Sequence, residues 1–335
     1  MNQDATPSPI ESLSPAQPSA LRKIFIGKDG LRAGWSLLIF VAIFAAIAIC
    51  VRIIGHKIHP PAPKAANAPP EPASPSFLFI AESIPLIITV FVAWIMSKIE
   101  RRPVSVYGLG GQRKLAYFSR GLTWGVVCLS LLILTLAKAG LLIIDGRLLF
   151  GSDIFRYGAI WLLGFFLVGM LEEYLTRGYL QYTLTRGLAG VYEWAFKTRH
   201  SKALGFWTSA VIFSFLFGLG HSKNPGESPI GLLSAGLAAM VFCFSLWRTG
   251  SLWFAIGLHT SWDWGQSFLY GVADSGLMAE HHLLATHPVG KPILSGGATG
   301  PEGSIFILPI LALIALIILF TLRRGSDGNT QERFT

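Results

Sequence analysis

Long apolar runs separated by short polar stretches dominate the chain. A helix needs about 20 apolar residues to cross the hydrocarbon core of a bilayer, or roughly 17–25 when it is tilted. Eight segments have this length, although glycines and histidines interrupt the fifth to the seventh. They lie at approximately residues 34–54, 77–97, 120–144, 158–180, 205–221, 229–247, 251–270 and 304–322. The pattern predicts an all-α fold, a polytopic membrane helix bundle with about eight transmembrane helices.

Polar and proline-rich stretches predict how this bundle is divided. The mixture of aromatic and basic residues in 182–204 is typical of an amphipathic segment at the membrane interface. We expect a disordered cytoplasmic tail at residues 1–33, N-terminal membrane helices at 34–150 with a Pro/Ala-rich loop at 55–76, a second helical domain at 151–322 and a C-terminal tail at 323–335.

Composition and charge agree with a membrane protein. The 335 residues are 52% hydrophobic and only 13% charged, whereas a soluble domain carries about a quarter of its residues as charges. In a soluble protein, a net charge of +9 would suggest that the protein binds nucleic acid. Here the excess of Lys and Arg in cytoplasmic loops explains the charge. We therefore expect both termini on the cytoplasmic side, in a bacterial inner membrane, with lipids and no nucleic acid as partners.

Ionisable side chains inside the apolar runs are the candidates for function, because such residues are rare in membranes and mark working sites. Glu172 and Glu173 close the fourth run, and His221 ends the fifth. His259 lies in the seventh run, with Asp263 one turn further on. The sequence thus predicts a polar site within the bundle.

Helical spacing separates the two glutamates. Glu173 and Arg177 are four residues apart, so they share a helix face and can pair. Glu172 points about 100° away from Glu173 and is free to face a cavity. His259 and Asp263 are also four residues apart and share a face.

A glutamate, two histidines and an aspartate that meet at one point suit the activation of water. The glutamate would be the general base, and the imidazoles would either hold a metal or stabilise an oxyanion. The candidate ligands for a divalent metal such as zinc are Glu172, His221, His259 and Asp263. No HExxH motif is present, and a metal-free mechanism with a glutamate base competes with the metal.

Structural roles are the alternatives for these residues. Glu173 and Arg177 could be an ion pair that ties helices together. His221 could be a packing residue, and His259 with Asp263 could be a hydrogen-bonded node between helices. Glu82 lies near the end of a run beside a proline, so we expect a structural or snorkelling role. The histidines of the long polar loop are expected to be solvated: His281, His282 and His287.

Three motifs occur in order in these runs. They are EExxxR at residues 172–177, FxxxH at 217–221 and HxxxD at 259–263. In this order the chain resembles the CPBP family, which includes the Rce1-like CAAX prenyl endopeptidases and many bacterial membrane proteins called Abi. The resemblance covers roughly residues 155–320, so the domain at 151–322 would be the CPBP-like protease domain.

The resemblance implies an intramembrane endopeptidase, in a family often called metalloproteases. It implies that Glu172 is the catalytic base and that Glu173 and Arg177 orient it. His221 would act on the water or the oxyanion, while His259 and Asp263 would polarise the scissile carbonyl. The substrate would be a peptide or a membrane-anchored protein. Asp263 stands where the prenyl proteases usually have Asn, which disfavours CAAX peptides specifically.

Two other functions remain open at this point. The protein could be a non-proteolytic membrane scaffold or immunity factor of the same fold. An ion- or proton-coupled transporter is less favoured, because transporters usually show inverted repeats and the sequence shows no such duplication.

Glu172 and His221 can meet only if the fifth helix brings His221 to the depth of Glu172 in the membrane. A rise of about 1.5 Å per residue places Glu172 and His221 at different depths of a bilayer about 30 Å thick. We expect the fifth helix to be displaced toward the cytoplasm or tilted, so that His221 stops in mid-bilayer. The loop 222–229 would then line a polar cavity, since non-helical backbone at this depth must not face lipid.

Overall fold

The computed structural model describes residues 24–27, 30–58 and 71–322, which form a helical bundle. Six helices in this part of the chain are long and apolar enough to cross a membrane, and they confirm a polytopic all-α membrane fold. Their bounds are Ala33–Ile58, Pro75–Ile99, Lys114–Lys138, Ser152–Phe196, Ser201–Lys223 and Pro229–Thr249. The C-terminal tail and most of the proline-rich loop lie outside the described residues.

The α-helices are numbered in chain order, with π-helical turns named separately. They are α1 (Ala33–Ile58), α2 (Pro75–Ile99), α3 (Lys114–Lys138), α4 (Ser152–Glu173), α5 (Gln181–Phe196), α6 (Ser201–Gly220), α7 (Pro229–Thr249), α8 (Trp253–Trp264), α9 (Pro292–Ser295) and α10 (Ile307–Thr321).

Two short antiparallel strand pairs accompany the helices. Strand β1 (Ile26–Gly27) pairs with β2 (Gly30–Leu31) in the described part of the predicted N-terminal tail. Strand β3 (Leu142–Arg147) follows α3 and pairs with β4 (Leu284–Pro288), with Ile143 opposite His287. The second pair fixes the long connection 271–306 against the end of α3.

The fourth predicted span differs from the structure in length. It does not end near residue 180, because a π-helical turn at Tyr174–Leu180 joins α4 to α5 in one helix of 45 residues, Ser152–Phe196. The first part of the segment predicted to be interfacial, 182–204, therefore continues this helix. The stretch Gln181–Phe196 contains no proline, so nothing in it interrupts the helix.

The last two predicted spans are short. Helix α8 has 12 residues and continues as a π-helical turn at Gly265–Tyr270, and α10 has 15 residues. Gly271 ends the π turn at a φ of 59°, a left-handed conformation that glycine adopts without strain. The chain then leaves the helix for the connection 271–306.

Glycines bring α3 and α8 into backbone contact. A Cβ atom on Gly257 would lie 2.2 Å from the carbonyl oxygen of Phe118, and one on Gly121 would lie 2.3 Å from that of Phe254. Small residues allow this approach between membrane helices, where van der Waals packing drives association. Helix α8, which carries His259 and Asp263, is thereby held firmly in place.

Helix α8 also packs closely on α4, and the connection 271–306 is fixed to both α2 and α4. A Cβ atom on Gly169 would lie 3.2 Å from the carbonyl oxygen of Ile256. The indole nitrogen of Trp161 donates to the carbonyl of Glu280 at 2.9 Å, and the amide of Ala73 donates to the carbonyl of Met278 at 2.7 Å. These contacts enclose the space beside α4 and α8.

Candidate active site

The motif residues meet at one cavity of about 220 Å³. Its helical wall consists of Glu172 from α4, His221 at the end of α6, and His259 and Asp263 from α8. Its loop wall comes from the connection 271–306 and consists of Asp274, Ser275, Leu277, Met278, Ala279 and Glu302. The rest of the lining is mostly apolar and comes from α2, α4, α7 and α10, with Glu82 of α2 as a further carboxylate.

Glu173 and Arg177 form a buried ion pair behind the helical wall. Arg177 Nη1 donates to Glu173 Oε1 at 2.9 Å, and the two side chains are 1% and 0% exposed. The guanidinium also lies 4.4 Å above the ring of Phe217 from α6. Burial strengthens both interactions, so the pair predicted from the spacing joins α6 to the end of α4.

His259 is held by the buried pair. Its Nδ1 lies 3.1 Å from Glu173 Oε1, and because a carboxylate only accepts hydrogen bonds, Nδ1 is the donor. The ring also stacks on Phe242 with centroids 5.2 Å apart. These contacts fix the tautomer and turn Nε2 toward the cavity.

His259 Nε2 lies between two carboxylates of the helical wall. Glu172 Oε2 is 3.7 Å away and Asp263 Oδ2 is 3.5 Å away. The Glu172 side chain is 32% exposed, in contrast to Glu173, which is fully buried. The structure thus separates the two glutamates as the helical spacing predicts.

The π-helical turn follows directly after the glutamates. Within it, Thr176 Oγ1 donates to the carbonyl of Glu172, and Arg177 Nη1 donates to Thr176 Oγ1 at 2.9 Å. Such widened turns are frequent at functional sites. The sequence did not indicate this turn, which contains Arg177.

His221 comes to the cavity from the end of α6. Its Nδ1 donates to the carbonyl of Phe217 at 2.8 Å, so Nε2 is the nitrogen left for a ligand. The Phe217 ring lies between the two imidazoles, with its centroid 4.9 Å from that of His221 and 6.4 Å from that of His259. All three motifs therefore converge on one cavity.

The loop 222–229 takes part in the cavity through Asn224. Its Gly226 carbonyl accepts a hydrogen bond from Thr299 Oγ1 at 2.9 Å, so the loop packs on the connection 271–306. This agrees with a polar cavity next to His221. The depth of His221 in a bilayer stays a prediction.

Three cavity carboxylates were missed by the motif analysis. Glu82 from α2 lines the cavity and interacts electrostatically with Glu172 and His259, although we expected a structural or snorkelling role. Its position inside an apolar run was the available signal. Asp274 and Glu302 lie in a glycine-rich connection, where helical periodicity gives no signal.

The loop histidines do not line the cavity. His281 stacks on Tyr157 with ring centroids 4.2 Å apart, and His282 Nδ1 donates to the carbonyl of Ala279 at 2.8 Å. His287 is half exposed and pairs with Asp145 at 2.7 Å. His281 and His287 are exposed, as expected for a solvated loop, whereas His282 is partly buried.

The described residues of the cavity are not arranged as a set of metal ligands. Among residues 24–27, 30–58 and 71–322, no three His, Cys, Asp or Glu side chains are grouped to hold a metal ion. The bond from His259 Nδ1 to Glu173 does not bear on this, because Nε2 still faces the cavity. We therefore derive the chemistry from the side chains themselves.

Fold and site together define a polytopic helical membrane protein with an acidic and histidine-containing cavity. Residues 155–265 match the family model described as Rce1-like, type II CAAX prenyl endopeptidase. The match confirms the resemblance to the CPBP family over these residues, and its segment contains all seven motif residues. No curated protein matches the chain, and no solved structure does.

Proposed function

We propose that the protein is an intramembrane endopeptidase of the CAAX prenyl protease 2-like kind, which hydrolyses a peptide bond with a glutamate-activated water. The observation that carries this proposal is the pairing of Glu172 with His259 Nε2 at 3.7 Å on the cavity surface. Glu173 and Arg177 support His259 from behind, so the base and the imidazole keep a fixed relative position.

Glu172 is the general base of the first step. A water molecule between Glu172 and the substrate gives its proton to the carboxylate while its oxygen attacks the carbonyl carbon. The partly exposed Glu172 can reach a substrate, whereas the buried Glu173 cannot. Glu173 is a positioning residue for His259.

His259 stabilises the tetrahedral oxyanion. With both ring nitrogens protonated, His259 donates from Nε2 to the oxyanion while Nδ1 stays bound to Glu173, and Asp263 orients the ring. Because His221 Nδ1 donates to the carbonyl of Phe217, its Nε2 accepts a hydrogen bond from the attacking water. Donors fixed before the reaction act most strongly on the charge that develops in it.

Collapse of the intermediate completes the reaction. The carbonyl is restored, the C–N bond breaks, and protonated Glu172 gives its proton to the leaving amine. No residue changes its net protonation over the cycle. The chemistry needs only water and the side chains of the helical wall.

The membrane setting follows from the same proposal. We propose that both termini lie in the cytoplasm and that the substrate is a peptide or a membrane-anchored protein held by lipid. The apolar cavity lining, which includes Trp161, Phe165 and Val168, suits a hydrophobic substrate segment. Cysteine-accessibility mapping of the loops tests the orientation.

The test is cleavage of a quenched membrane-peptide library by the protein in proteoliposomes. Wild-type protein and Glu193→Gln, a variant of an exposed glutamate, are expected to cleave, while Glu172→Gln is not. Equal cleavage by wild type and Glu172→Gln contradicts the proposal. Chelator titration with elemental analysis then decides between the metal-free mechanism and a zinc-dependent one.

A further inference from the structure

The cavity is acidic beyond what the proposed hydrolysis needs. Five carboxylates line it, whereas no Lys or Arg of the described residues does. The five are Glu82, Glu172, Asp263, Asp274 and Glu302. Only His221 and His259 can offset their charge. The proposed mechanism uses Glu172 and Asp263 and leaves Asp274 and Glu302 of the loop wall without a role.

The carboxylates of the loop wall are held rigidly at the cavity. Asp274 Oδ2 accepts from Ser267 Oγ at 3.3 Å, and Asp274 Oδ1 accepts from Gln266 Nε2 at 3.3 Å. Glu302 Oε1 accepts from Ser275 Oγ at 2.8 Å. These few neutral donors fix the positions of the oxygens without neutralising their charge.

An acceptor without a partner lies in the same cluster. The Gln266 side chain is fully buried, and its amide group lies against Asp274. Its Oε1 accepts no hydrogen bond from any described residue. Buried acceptors are normally satisfied. Gln266 does not line the cavity, so the charged acceptors that the loop wall presents to a ligand are its two carboxylates.

Burial and mutual repulsion oppose ionisation of these carboxyl groups when no cation is bound. Burial raises the pKa of Asp274, and the charges of Asp263 and Glu302 raise it further. Burial likewise raises the pKa of Glu302, against the lowering effect of its hydrogen bonds from Ser275. Both groups lie outside the membrane-spanning helices. A cationic ligand would favour their ionised forms.

We propose that the loop wall is a substrate subsite for a Lys or Arg side chain close to the scissile bond. This inference rests on the proposed function and adds a substrate class to it. A guanidinium or ammonium group supplies only donors and positive charge, which the carboxylates of Asp274 and Glu302 accept. A carboxylate at the end of a leaving tripeptide, as in a CAAX substrate, meets repulsion there.

The test measures binding separately from cleavage. Full-length Glu172→Gln in detergent is titrated with labelled membrane peptides that differ at one position, which holds Lys, Arg, norleucine or Glu. The position is scanned on both sides of the peptide bond that the wild-type protein cleaves in the library. We expect Lys and Arg peptides to bind at least about tenfold more tightly than the norleucine peptide, and the Glu peptide to bind most weakly.

Variants assign the preference to the loop wall. Asp274→Asn and Glu302→Gln, each combined with Glu172→Gln, are expected to bring the Lys-to-norleucine affinity ratio close to one. Glu193→Gln in the same background keeps the ratio and serves as the matched control. The ratio compares two peptides on one protein, so partial loss of folded protein does not change it.

The outcomes separate the two proposals. Equal affinity for Lys, norleucine and Glu peptides at every scanned position overturns the subsite, even when wild-type protein cleaves them all. A Lys preference that survives in both loop-wall variants also overturns it. Cleavage that Glu172→Gln retains overturns the proposed function instead, and leaves the binding preference as an independent result.

Discussion

The helical wall and the loop wall of the cavity are built by different means. In the helical wall, each side chain comes from a helix whose neighbours fix it through buried pairs and close packing. Glu173, Arg177 and His259 form one connected network. In the loop wall, Asp274 and Glu302 come from a connection with little regular structure, held by hydroxyl and amide donors.

This difference teaches which function each wall can carry. Transition-state stabilisation needs donors fixed before the reaction, and buried helices provide them. Recognition of a substrate side chain tolerates small movements of the contacting groups. We therefore expect changes in the helical wall to abolish activity or folding, and changes in the loop wall to alter substrate preference.

Gly257→Leu is expected to have the largest effect, because it separates α8 from α3. Its side chain would collide with the carbonyl of Phe118, 2.2 Å from the Cβ position. Added bulk in a packed core costs about 1–3 kcal/mol where side chains can move, and backbone moves less readily. We expect no folded protein in size-exclusion chromatography.

The control for this variant is Gly190→Ala in α5, where a Cβ atom would have no neighbour within 4 Å. This variant is expected to fold and to melt at the wild-type temperature or slightly above. Normal folding of Gly257→Leu would show that α8 does not depend on the glycine contact.

Arg177→Met is expected to have the next largest effect, since it leaves the buried Glu173 carboxylate without its arginine and with only the hydrogen bond from His259. Removing one partner of a buried pair typically costs about 3–5 kcal/mol. We expect a large drop in melting temperature, followed by intrinsic tryptophan fluorescence, together with loss of cleavage.

The double variant Arg177→Met with Glu173→Gln distinguishes charge from packing. It removes the unpaired carboxylate, so it is expected to regain much of the lost thermal stability without regaining activity. A double variant as unstable as Arg177→Met would indicate that Arg177 acts through its contact with Phe217.

Glu172→Gln is expected to change catalysis without changing the fold. Loss of a general base lowers the rate about 10²–10⁴-fold, and the 32% exposed side chain contributes little to packing. The rate constant on a fluorogenic peptide and the melting temperature are measured on the same sample. A melting temperature that falls with the activity would argue for a structural role.

Acidification is expected to have the smallest effect and to act on the loop wall. Asp274 and Glu302 have raised pKa values because of burial, and each loses its charge as the pH falls through its raised pKa. The affinity ratio of Lys to norleucine peptides should therefore decline at lower pH. A ratio that rises on acidification would contradict the assignment of the preference to these two groups.

Much of the helical wall could be predicted from the sequence. An α-helix repeats every 3.6 residues, so the pairing of Glu173 with Arg177 and the opposite direction of Glu172 follow from spacing alone. The three motifs in order carry the family resemblance, and that resemblance implied that three helices contribute to one site. The contact of His259 with Glu173 joins residues 86 positions apart, and no local rule gives it.

The loop wall could not be predicted, because its members have no periodic relation to one another. Asp274 and Glu302 reach the cavity through left-handed glycines such as Gly296 and Gly300 and through tertiary hydrogen bonds. Glu82 was visible as a charge in an apolar run, but its nearest functional neighbours lie far along the chain.

The sequence by itself determined the membrane class, the helical fold and the six candidate site residues, because apolar length and helical periodicity are local properties of the chain. The tertiary structure alone decided that Glu173 holds His259, that Glu82 faces the same cavity and that a second, acidic wall closes it. Those facts depend on how closely α3, α4 and α8 approach one another, and glycine contacts between distant segments set that distance.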